Sequence, residues 1–150
     1  MMSTTMEAAP WARWREIEVV IDAVHDIGPD RRIAARAEVR APHCERCGPA
    51  ARMSRHGLLT RQLRDLPHDG RPTWLSVQLT RWRCAACGQT ATPSMAGVQS
   101  RRRMTQRLID WLVRESAVRP AAQLAREAGI DEKTVRGVLS AARGRVAVLS

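Results

Sequence analysis

Cys44-Glu45-Arg46-Cys47-Gly48 and Cys84-Ala85-Ala86-Cys87-Gly88 hold all four cysteines of this 150-residue chain. Each is a Cys-x-x-Cys followed directly by Gly. Two thiolates at that spacing reach one ion from a single tight turn. The Gly accepts a positive φ and leaves backbone N–H groups free to point at sulfur. Four thiolates close a tetrahedral zinc shell, the usual form of a structural site. Cys44, Cys47, Cys84 and Cys87 are therefore the expected ligands of one Zn ion. Other chemistries fit less well. A disulfide framework needs export, and the first residues lack the charged-then-apolar order of a signal peptide. A thioredoxin-like redox pair sits in a βαβ pattern, which is missing here. An iron–sulfur cluster on four cysteines stays chemically open. His43, His56 and His68 lie close by in sequence, but four thiolates already fill the shell.

Moving outward, the flanking sequence alternates as strands do. Thr73–Arg83 places Leu75, Val77 and Leu79 on one face and Trp74, Ser76, Gln78, Thr80 and Trp82 on the other, and runs straight into Cys84. Leu58–Leu66 reads as its hairpin partner, with Pro67–Pro72 forced to turn. Upstream, Ile17, Val19 and Ile21 alternate with Glu18, Val20 and Asp22. Asp26-Ile27-Gly28-Pro29-Asp30 turns the chain, and Ile33, Ala35, Ala37 and Val39 alternate again. A short helix over Arg13–Val24 competes with the first of these strands. The pattern predicts an N-terminal β-hairpin and a four-cysteine zinc ribbon over residues 14–97, in which the metal stands in for a core too small to hold alone. Residues 1–13 read as a disordered start, and 98–104 as a basic linker ending Arg101-Arg102-Arg103.

Residues 105–150 change to helical spacing. Thr105 is a candidate N-cap, and Leu108, Trp111 and Leu112 recur on one face of a helix over 105–116. Ala121–Ala142 then has the spacing of a helix-turn-helix: Ala125 where two helices cross, Gly129 at the turn, Ile130 as a plug, and Asp131 capping a helix from Glu132 to Ala142. Val135, Val138 and Leu139 make its buried stripe. Lys133, Thr134, Arg136, Gly137 and Ser140 then point outward, the positions that enter a major groove. Lys133 and Arg136 suit guanine O6 and N7, while Arg101, Arg102, Arg103, Arg126 and Arg143 suit phosphates. An ordinary helical hairpin with a Gly turn has the same spacing.

Charge follows this division. The net charge is +10, nearly all from Arg, with Lys133 the one lysine. Residues 1–40 carry −1, 41–100 carry +5 and 101–150 carry +6. The basic balance begins where the cysteines begin, which favours nucleic acid as partner. Five Trp, no Phe and no Tyr exclude a tyrosine nucleophile. No apolar run approaches the ~20 residues of a membrane helix. The expected setting is the cytoplasm, with no membrane partner.

The chain resembles the N-terminal part of the ISL-three family of insertion-sequence transposases. The stretches that carry the resemblance are Pro42-His43-Cys44-Glu45-Arg46-Cys47-Gly48, Arg55-His56-Gly57, Arg64-Asp65-Leu66-Pro67 and Arg81-Trp82-Arg83-Cys84-Ala85-Ala86-Cys87-Gly88, together with Ala121–Leu139. The resemblance implies an α+β chain: a hairpin, a zinc ribbon and a helix-turn-helix that recognises double-stranded DNA. The chain stops about where the family's DDE catalytic domain would start, so no enzymatic activity and no catalytic residues are expected. Element ends or an operator are the expected targets, with a second copy or a full-length transposase as protein partner. The competing class is a ribbon that docks on a larger nucleic-acid machine as a protein-interaction module.

Overall fold

The computed structural model describes residues 4–6, 13–14, 17–38, 40–99 and 101–149, with side chains described within 17–145. Nine strands and three helices follow in order: β1 (Thr4–Met6), β2 (Arg13–Trp14), β3 (Val19–Ile27), β4 (Asp30–Ala37), β5 (Met53–His68), β6 (Arg71–Cys84), β7 (Thr90–Ala91), β8 (Val98–Gln99), β9 (Met104–Thr105), α1 (Gln106–Glu115), α2 (Ala121–Ala128) and α3 (Glu132–Leu149). The strands form one sheet in the order β1-β3-β4-β6-β5-β9-β8, with β2 also on β3 and β7 also on β6.

The two expected hairpins exist. β3 and β4 pair antiparallel around Gly28, and β5 and β6 pair antiparallel around Asp69-Gly70. The alternation did not reveal that they join. β4 runs parallel to β6, with Ile33 opposite Leu75 and Ala35 opposite Val77. One apolar face results, of Ile17, Val19, Ile21, Ile33, Ala35, Leu63, Leu75, Val77 and Leu79, with Met95 and Val98 packed on it. Each of the larger side chains contributes about 1.5–3 kcal/mol by burial. The hairpin tips are clasped as well. Arg31 donates to Asp26 at 2.8 Å and to Asp69 at 2.7 Å, and Arg71 donates to the Gly28 carbonyl at 2.8 Å.

Three expectations need correction. Thr4–Met6 and Arg13–Trp14 are strands on β3, not part of a disordered start, because the outer edge of β3 offers them backbone partners. Residues 1–3 and 7–12 lie outside the described residues, as does Val39. Residues 98–104 are no linker. β8 and β9 form a small hairpin whose Met104 pairs with Arg64 of β5, and Met104 and Thr105 are buried. Trp82 keeps the face it shares with Trp74, Ser76, Gln78 and Thr80 but is buried there, as is Cys84, beside the point where β5 carries an extra residue at His56, between the pairs Arg55–Trp82 and Gly57–Arg81. Finally, α3 continues past Ala142 to Leu149.

The helices build a second core from Met104, Leu108, Ile109, Leu112, Leu124, Ala125, Ala128, Val135, Val138 and Leu139. Thr105 caps α1, its hydroxyl accepting the Leu108 N–H at 3.3 Å. Arg119 ties α1 to α2 by pairing with Glu115 at 3.1 Å and with Glu127, its guanidinium lying 5.4 Å from the Trp111 ring. α2 ends at Gly129 in the left-handed conformation, φ 71°. Two contacts fix this helical unit on the sheet. Gly129 abuts Pro72 and Arg64 of the β5–β6 hairpin, and Arg64 stacks 3.6 Å from the Trp74 ring. On the other side, Asp65, fully buried in β5, accepts Thr105 Oγ1 at 2.7 Å and Arg107 Nε at 2.7 Å.

Candidate metal centre and basic helical face

Each Cys pair sits on a turn closed by its Gly. Gly48 N–H donates to the Cys44 carbonyl at 2.8 Å, and Gly88 N–H to the Cys84 carbonyl at 2.9 Å. Both glycines have positive φ, 81° and 75°, so the turns demand residues without a Cβ penalty. The long β5–β6 pair brings the two turns together. Met53 stands opposite Cys84 at its end, and Ala85 N–H donates to the Arg52 carbonyl at 2.9 Å. The four Sγ atoms lie within 4.8 Å of one another. A tetrahedron with Zn–S bonds of about 2.3 Å has edges of about 3.8 Å, and the Cys44–Cys87 separation is 3.6 Å. Cys44 and Cys84 are buried, while Cys47 and Cys87 reach solvent.

Electrostatics support the same fit. Hydrogen bonding from the Cys87 thiol, followed by desolvation and the other two thiols, pushes Cys47 up to about 12. The backbone N–H groups of Cys87 and Ala86 point at Cys84 and outweigh its burial, lowering it to about 7. Four thiols at this distance resist ionising together, and a divalent cation is what allows all four to do so. Zn is the cofactor this donor set holds: soft thiolates, four in number, no open position. The three histidines stay outside. His43 and His56 are exposed, and His68 hydrogen-bonds Asp65 at 3.2 Å.

The sequence-derived basic residues fall on the helical unit and the β8–β9 turn. Asp131 caps α3, accepting the Thr134 N–H at 2.7 Å and the Thr134 hydroxyl at 2.8 Å. Thr134 is therefore part of the cap and half-buried, where the helical spacing had it pointing outward. These bonds, the backbone N–H first, hold the Asp131 carboxyl below the usual range. Lys133, Arg136 and Ser140 are exposed, and Arg136 pairs with Glu132 one turn back, at 3.1 Å from Nε. Gly137 is half-covered by the guanidinium of Arg102. Arg101, Arg102 and Arg103 occupy the exposed β8–β9 turn, and Arg126 and Arg143 are exposed on α2 and α3. No helix among the described residues is long and apolar enough to cross a membrane.

Two groups were missed in the sequence. Asp65 occupies an inward position of a strand whose neighbours there are apolar, and that parity was the available signal. Arg64, on the opposite face, has Nη1 buried without a hydrogen-bond partner. Burial lowers its pKa, the charge of Asp30 acts against this, and the guanidinium stacks on the Trp74 ring.

Two Cys-x-x-Cys-Gly turns held by an antiparallel pair, with four Sγ atoms gathered to hold one metal, define a zinc ribbon. Residues 40–87 match the family described as the zinc-finger of transposase IS204/IS1001/IS1096/IS1165. That span takes in both Cys pairs and the β5–β6 hairpin, and it supports the zinc-ribbon part of the resemblance. No curated protein and no solved structure matches the chain.

Proposed function

We propose that this chain binds double-stranded DNA with sequence preference, through a zinc ribbon of the transposase type and a helix-turn-helix formed by α2, the Gly129 turn and α3. The observation that carries this reading is the exposed side of α3. Its buried stripe of Val135, Val138 and Leu139 leaves Lys133, Arg136 and Ser140 on the solvent side, beside the Arg101–Arg103 turn. That is a cationic helix face with a basic flank, the footprint of a groove-reading element. Lys133 and Arg136 are assigned to base edges, and Arg101, Arg103, Arg126 and Arg143 to phosphates. Transposon ends or an operator are the targets this implies, with a second copy or a full-length transposase as protein partner. We also propose that these 150 residues bind DNA without cleaving it, since four thiolates leave the zinc no open position for water.

Selection from a random duplex pool, followed by anisotropy titration, tests this. A recovered consensus is expected, bound at least about tenfold more tightly than random duplex. Affinity for random duplex should fall steeply with salt through counterion release. If no sequence is enriched and affinity does not depend on salt, the ribbon acts instead as a protein-docking module.

A further inference from the structure

We propose that Arg102 belongs to the DNA-reading face of α3, although it lies on another element. This inference rests on the DNA-binding reading above and assigns a contact within it.

The geometry starts at Gly137. Lys133, Gly137 and Ser140 stand at i, i+4 and i+7 of α3, on the side opposite its buried stripe. In the middle of that row the helix has no side chain of its own. The space is taken from outside. A Cβ built on Gly137 would lie 3.2 Å from Arg102 Nη1, 3.5 Å from Nη2 and 3.8 Å from the guanidinium carbon. The other glycine of α3, Gly144, has nothing within 4 Å of such a Cβ. The close approach is therefore particular to position 137, and the guanidinium lies where a side chain would begin.

Two further facts make this a reading position. Among the described residues no carboxylate pairs with Arg102, whereas Arg136, on α3 itself, is held by Glu132. The arm that presents Arg102 is also anchored. β9 pairs with β5, and the carbonyl of Arg103 accepts the Arg64 N–H at 2.9 Å. An uncompensated guanidinium on the outer face of α3, carried by this anchored backbone, offers the planar donor pair that guanine O6 and N7 accept. Arg101 and Arg103 share the turn without this seat. The sequence placed all three arginines together as phosphate contacts, and the structure separates the middle one.

The test is a double-substitution cycle on the duplex selected from a random pool, with Arg101→Ala as comparator. Arg102→Ala should weaken the selected duplex about tenfold and random duplex about twofold or less. Gly137→Ala should lose severalfold on the selected duplex by crowding the guanidinium out of its seat. In the double variant, loss should be no greater than for Arg102→Ala alone. Arg101→Ala should weaken both duplexes alike. Gly137→Ala removes a helix-interior glycine, so its melting temperature should not fall, and unchanged zinc content confirms the ribbon of every variant. Equal losses of Arg102→Ala on both duplexes would reduce it to a charge contact and overturn the proposal. So would additive losses in the double variant, or tighter binding on removal of Arg102, which would make it a cover over α3. A wild-type chain with no preferred duplex overturns the DNA-binding reading itself, an outcome distinct from all of these.

Discussion

Asp65 shows what a single residue does here. It is a carboxylate with no exposure, set among the apolar side chains of β5. Burial alone would raise its pKa. Hydrogen bonds from Arg107, His68 and Thr105, with the Arg107 charge, outweigh that and hold the carboxyl well below the usual carboxylate range. The pair joins the β5–β6 hairpin to the start of α1. A carboxyl whose folded pKa is depressed contributes stability above its unfolded pKa of about 4, and that contribution is lost as pH falls from there toward the folded value. Asp65→Asn should cost about 3–5 kcal/mol at neutral pH, because the fully buried carboxylate is the charged half of the pair with Arg107. The gap between wild type and variant should narrow steadily below about pH 4. Urea unfolding at several pH values measures this, and a gap independent of pH would show that the ion pair contributes nothing net. The inward parity of Asp65 was legible in the sequence, but its partners at Thr105 and Arg107 were not. They lie 40 and 42 residues away, joined through a β8–β9 hairpin whose composition reads as a polar linker.

At the scale of elements, the β5–β6 hairpin carries the molecule. Its 16- and 14-residue strands run from the four-cysteine cluster at one end to the helices at the other. Zinc binding supplies folding free energy where a preformed site is absent, of order 10–16 kcal/mol in zinc-finger peptides. Here the apolar face of Ile33, Leu63, Leu75 and Val77 lies away from the Cys turns and has its own burial. Zinc removal should therefore act locally. Elemental analysis should return one zinc per chain and none for Cys84→Ser. Amide exchange after chelation should speed up first over 44–55 and 84–91, while Leu63 and Leu75–Val77 stay protected. Uniform loss of protection would make the metal the keystone of the whole sheet. The ligands and the hairpin were readable because spacing and alternation are local properties. The parallel β4–β6 pairing was not. Alternation says which side chains face inward, not which strand lies alongside. The bulge at His56 in β5 was likewise not readable, because an extra residue shows only against the partner strand it pairs with.

For the whole molecule the question is how ribbon and helices act together. The helical unit is docked, not tethered, and the docking passes through Gly129. The sequence assigned that glycine to the turn for its φ, and φ is 71°. Its second role depends on tertiary contact: a Cβ there would sit 2.7 Å from Pro72 Cβ and 3.0 Å from Arg64 Nη1. The first of these neighbours is a rigid ring, and the second is a guanidinium stacked on Trp74. Neither yields easily. Gly129→Ala thus adds left-handed strain of about 1–2 kcal/mol to an overpacking cost of about 1–3 kcal/mol. The helices can relieve the second cost only by lifting off the hairpin. We expect a destabilisation of about 2–5 kcal/mol, with zinc content unchanged because the Cys turns lie at the far end of the hairpin. Amide exchange should rise at the start of α3 and along 64–74. Sequence preference should fall more than affinity for random duplex, since charge is conserved while the relative placement of ribbon and α3 is lost. Arg64→Met, which removes the guanidinium that a Cβ at position 129 would crowd, along with its stacking on Trp74, should partly rescue the docking. If Gly129→Ala lowers stability yet leaves preference intact, the two units read DNA independently, and the docked geometry serves folding alone.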